Sequence, residues 1–104
     1  MEEIIEIEGA SGRSYRFMRG SLVSTLSDAG NFVFVTKGNP SSIVCSGTTA
    51  DLSLAVTFWN GVPTPETHFY IRRNVTKAMR QAEHDDICLK HGPEMVVFEF
   101  DGPS

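Results

Sequence analysis

Apolar and polar positions alternate twice near the start of the chain. Ile4, Ile5 and Ile7 are interleaved with Glu6 and Glu8, and Tyr15 and Phe17 with Ser14, Arg16 and Met18. Between them lies G-A-S-G (9–12). A period of two on both sides of a Gly-rich turn predicts a β-hairpin over 3–19. Turn formers at L-S-D-A-G (26–30) come next. F-V-F-V (32–35) does not alternate, which predicts a strand covered on both faces. After the loop-forming K-G-N-P-S-S (37–42), S-I-V-C-S (42–46) is a second buried strand, so 32–46 predicts another hairpin.

The period then changes. Leu52, Ala55, Val56 and Trp59 stand at helical spacing. Thr48 or Thr49 is the expected cap, with Asp51 favourable in the first turn. N-G-V-P-T-P (60–65) must stop this helix. T-H-F-Y-I-R-R (67–73) is β-branched and aromatic, a third strand. Asn74 is a good N-cap for a helix reaching about His91, where Gly92-Pro93 ends it. That helix places Val75, Ala78, Met79, Ala82, Asp86 and Leu89 on one face, which reads as the side turned to the core. M-V-V-F-E-F (95–100) is a last strand. Strands outnumber helices, and the hairpins imply antiparallel pairing. The prediction is an α+β domain: a small, mainly antiparallel sheet with two main helices on one or both faces, an N-terminal hairpin and a C-terminal strand.

Composition narrows this. A chain of 104 residues, 40% hydrophobic and 21% charged, makes one globular domain (1–104) with a small core. The net charge of −4 weighs against a nucleic-acid binder, which usually shows a basic face. Cys45 and Cys88 lack metal spacing and sit in apolar stretches, as buried reduced thiols do. The acidic, alternating start is no signal peptide, and no apolar run approaches membrane-spanning length. The expected location is the cytoplasm.

Few residues suggest chemistry. Asp86 is odd on an apolar helix face, because a buried carboxylate needs a partner or a shifted pKa; otherwise it lies at a wet edge. Glu83 flanks the same face, either solvated or pointing into a cleft. His68, His84 and His91 form no ligand pair, so a metal site is unsupported, and His84-Asp85 reads as a solvated face. Arg72, Arg73, Lys77 and Arg80 are the densest basic stretch. They can pair with Glu66, Glu83, Asp85 and Asp86 or contact phosphate. Gly47 ends an apolar strand but opens no phosphate-binding glycine motif, so it reads as a strand-to-helix turn.

The order of these parts resembles the GIY-YIG nuclease domain. G-N-F (30–32) falls where the first motif stands and C-S-G (45–47) where the second stands. G-T-T-A-D-L (47–52) is similar to the run opening the family's first helix, and T-H-F-Y-I (67–71) to its third strand. Q-A-E-H-D-D-I (81–87) is similar to the helix carrying the family's metal-binding Glu. The hairpin 3–19 resembles an extension in small bacterial proteins of this type, the core then being about 28–95 and the C-terminal strand 95–100.

The resemblance implies a site at Phe32, Cys45, Gly47, Ala55, Trp59 and Glu83. It also implies that most of the chemistry is gone. Phe32 and Cys45 replace the motif tyrosines and Ala55 the phosphate-stabilising arginine, leaving Glu83 as the metal ligand. Phe32 has no hydroxyl, and a buried Cys45 should be harder to ionise. One carboxylate holds Mg²⁺ poorly. The expectation is a non-catalytic binding or interaction domain with no cofactor and a DNA or protein partner, a second copy included. The alternative is a divergent endonuclease using Mg²⁺ or Mn²⁺, with Tyr70 or Arg72 as substitutes.

Overall fold

The computed structural model of the chain describes residues 4–19, 27–36, 42–55 and 67–100. Six strands build one sheet: β1 (Ile4–Glu8), β2 (Ser14–Arg19), β3 (Gly30–Thr36), β4 (Ser42–Thr49), β5 (Thr67–Arg73) and β6 (Met95–Phe100). Among the described residues two helices accompany it: α1, described over residues 52–55, and α2 (Lys77–His91). The order across the sheet is β1-β2-β5-β3-β4-β6, antiparallel throughout except for β4–β6. This is the α+β architecture that the sequence pattern predicts.

The alternating strands lie at one end of the sheet, and the continuously apolar β3 lies inside it. Ile7, Tyr15 and Phe17 are buried from the hairpin, while Glu6, Glu8, Ser14 and Arg16 stay exposed. β3 is flanked by β4 and β5 and covered on both faces, which its apolar run requires. Phe32 and Phe34 join Phe69, Ile71, Cys45, Leu52 and Ala55 on the α1 side. Val33 and Val35 join Tyr70, Tyr15, Phe17 and Ile87 on the α2 side. β4 and β5 are parallel to each other, as are β5 and β6, and the two crossovers run in opposite directions. A common handedness therefore puts α1 and α2 on opposite faces.

The element ends differ from expectation in three places. β4 continues to Thr49, so Gly47 lies within a strand and not at a strand-to-helix turn. A Cβ there would stand 2.5 Å from Phe32 Cζ and 2.7 Å from the Val97 carbonyl oxygen, so close packing by β3 and β6 excludes a side chain. Asp51, and neither Thr48 nor Thr49, caps α1: its Oδ1 accepts from the Ser53 N–H (2.9 Å) and hydroxyl (2.6 Å). Thr48 is engaged elsewhere, donating to β6. The N-cap of α2 is Thr76, in extended conformation without a side-chain cap bond. Asn74 remains tied to β3, donating its amide to Asn31 Oδ1 (3.1 Å) and its N–H to the Ala29 carbonyl (2.9 Å). Gly92, in left-handed conformation, ends the helix as expected, its N–H on the Cys88 carbonyl. Val56, Trp59, the break at 60–65 and most of the loop at 37–42 lie outside the described residues.

Candidate functional site

The largest correction concerns α2. Its inward face carries Arg80, Glu83, His84 and Ile87. The stripe expected to face the core points outward, with Val75 63%, Met79 56% and Leu89 79% exposed. Ala78 and Ala82 are exposed as well. The reason lies in the strands beneath. They present Asn31, Ser46, Arg72 and Glu99 to the helix, and these polar groups need polar partners once covered.

Each inward polar side chain of α2 has one. Arg72 Nε donates to Glu83 Oε1 at 2.7 Å, and its guanidinium lies 5.6 Å from the centre of the Tyr15 ring. Arg80 Nη2 donates to Glu99 Oε1 (2.9 Å) and Nη1 to the Val75 carbonyl (2.9 Å), while Nε has no hydrogen-bond partner. Asn31 donates its amide to the Arg80 carbonyl at 2.8 Å. Burial pushes the Glu99 carboxyl up, but hydrogen bonds from Arg80 and Thr48 and the Arg80 charge outweigh it and hold the pKa below its ordinary value.

Asp86 sits between the wet edge and the core. Its carboxylate accepts from the Ser11 N–H (2.8 Å), the Ser11 hydroxyl (2.6 Å) and the Tyr15 hydroxyl (2.7 Å), which lower its pKa. Burial and the bond to Asp86 raise that of Tyr15. These shifts move both groups away from neutrality; they line a groove of about 380 Å³ with Arg13, Met79 and Glu83.

His84 is buried, not part of a solvated face. Its Nδ1 is 3.0 Å from Ser46 Oγ, and Cys88 Sγ lies 3.8 and 3.7 Å from the two ring nitrogens. The sequence pattern, read as a solvated face at His84-Asp85, misses this cluster, although His84 and Cys88 stand at i, i+4 spacing. Burial lowers the pKa of His84 and raises that of Cys88, which disfavours the charged form of each.

The positions implied by the GIY-YIG resemblance separate. Phe32, Cys45 and Ala55 are sealed in the core on the α1 side, beside Gly47, and burial pushes the Cys45 thiol up to about 12. Glu83 is on the α2 side of the sheet, bound to Arg72. The four do not share a cleft, because β3 and β4 turn Phe32 and Cys45 away from α2. Trp59 lies outside the described residues. Tyr70 is fully buried and Arg72 is committed, so neither is placed as a substitute. Among the described residues no group of three or more His, Cys, Asp and Glu is placed to hold a metal ion. The basic stretch likewise disperses: Arg72 pairs with Glu83, Arg73 with Asp28 (3.0 Å) and Arg80 with Glu99, leaving Lys77 exposed.

No family model matches the chain, and neither a curated protein nor a solved structure matches it. Among the described residues no helix is long and apolar enough to cross a membrane.

Proposed function

We propose that this is a non-catalytic interaction domain. The observation that carries the reading is the reversal of α2. Side chains able to bind metal, phosphate or a proton in flight are engaged in holding the helix to the sheet, and its large apolar residues face outward. Arg72, Glu83, Arg80 and Glu99 act as paired structural charges, and freeing one for chemistry would leave a half-buried or buried partner without its counter-charge. A role at nucleic acid draws little support, since three of the four basic residues are neutralised by carboxylates. The endonuclease alternative would need Glu83 released from Arg72 and facing groups that lie across the sheet.

Incubation of the chain with branched and nicked DNA in Mg²⁺ or Mn²⁺ tests this directly. The expected result is no cleavage, and no DNA binding at low salt, where the electrostatic contribution is greatest. Cleavage that disappears in Glu83→Ala overturns the reading.

A further inference from the structure

Among the described residues the six-stranded sheet has two edges, and the two differ. β1 alternates apolar residues with the exposed Glu6 and Glu8, the latter paired with Lys90. Charges of this kind keep an edge from pairing with another chain. β6 reads M-V-V-F-E-F, with no Lys, Arg or Pro. Met95, Val96 and Phe98 are 44%, 54% and 48% exposed. The single acid of the strand, Glu99, is turned inward onto Arg80 and Thr48. Among the described residues β6 has a neighbouring strand only on its β4 side.

We infer that β6 is the contact strand of a homodimer, pairing antiparallel with β6 of a second copy across a two-fold axis. The inference rests on the interaction-domain reading and names its partner. Hydrogen bonding favours a second copy, because an open strand edge is complementary to itself when turned through a two-fold axis. Charge selects among the edges. Within β6 itself no acid faces outward, because Glu99 is turned in and the exposed Glu94 precedes the strand. β1 against β1 would set Glu6 and Glu8 beside their counterparts in a chain of net charge −4. β1 against β6 is head-to-tail and gives a ring or an open filament in place of a two-fold dimer.

Side-chain direction agrees. The β4–β6 register sets Val96 opposite Ser46, on the α2 side, and Met95 and Val97 opposite Cys45 and Gly47, on the α1 side. Apolar groups therefore emerge on both faces of the edge. The register with β4 shifts between Val97 and Phe100, so the regular part of the edge open to pairing is Met95–Val97. A six-residue edge buries less than the roughly 1,200 Å² of a standard stable interface, so the dimer is reversible and concentration dependent.

Sedimentation of the full chain from low micromolar to submillimolar concentration tests the proposal. The mass should rise from 11.5 kDa toward twice that value. The double variant Val96→Lys/Phe98→Lys should weaken association about tenfold or more, whereas Glu6→Lys should leave it unchanged. Should the double variant not fold, amide exchange on the wild type decides: amides of 95–99 should slow as concentration rises. A wild type that stays at 11.5 kDa with unprotected β6 amides overturns the proposal and leaves the edge to a foreign strand. A folded double variant that associates like wild type overturns it as well. Either failure leaves the interaction-domain reading standing, because DNA cleavage tests that reading separately.

Discussion

On the α1 side of the sheet, Phe32, Phe34 and Phe69 pack with ring centres 5.3 to 6.2 Å apart and seal against Leu52 and Ala55. On the α2 side, Ile87 is the one apolar residue among the four the helix buries, the others being Arg80, Glu83 and His84. The first side is held by shape and area alone; the second adds paired charges and hydrogen bonds beneath α2 to an apolar cluster of its own, Val33, Val35, Tyr15, Phe17, Tyr70 and Ile87. An apolar face tolerates neither lost nor added volume. A polar face tolerates removal of both partners far better than removal of one.

The largest effect should come from Phe34→Ala. It empties a fully buried ring site and should cost about 3–5 kcal/mol, read as a lower urea-unfolding midpoint. On the other side, Arg80→Met alone should cost about 3 kcal/mol, because Glu99 is left without its cation. The double variant Arg80→Met/Glu99→Leu should recover to within about 1 kcal/mol of wild type. If the double variant is no better than the single, the two sides are held alike and the comparison breaks.

Gly47→Ala tests overpacking on the α1 side. The added methyl meets Phe32 and the β6 backbone, and the expected cost is about 1–3 kcal/mol. A neutral result would mean that β6 is free to move away.

The smallest effect is pH dependence, which should belong to the α2 side. Burial lowers the pKa of His84, so the unfolded chain binds its proton first as pH falls. The stability tied to neutral His84 is complete above its unfolded pKa near ~6.5 and declines below it, toward the lowered folded value. Unfolding midpoints at neutral and mildly acidic pH should differ less in His84→Gln than in wild type. Cys45, the titrating group of the α1 cluster, has its pKa at about 12 and contributes nothing to this change. An equal pH response in variant and wild type would remove His84 as its source.

Strand positions were legible in the sequence because their signals are local. The alternation around 9–12 and the runs at 32–35 and 67–73 specify strands whichever partners they find, and Gly92-Pro93 stops α2 unaided. The candidate site was legible only as a set of residue types. The motif order could not reveal that Phe32 and Cys45 face one side of the sheet and Glu83 the other.

The sequence by itself determined the elements, the α+β class and the low capacity for chemistry at Phe32 and Ala55. The tertiary structure decided which way α2 turns. Periodicity identifies two faces of a helix, and apolarity nominates one for burial. The sheet chose the other, because Asn31, Ser46, Arg72 and Glu99 already occupied the surface it had to cover. The same holds at Gly47. Its lack of a side chain is demanded by Phe32 and Val97, which only strand pairing brings against it.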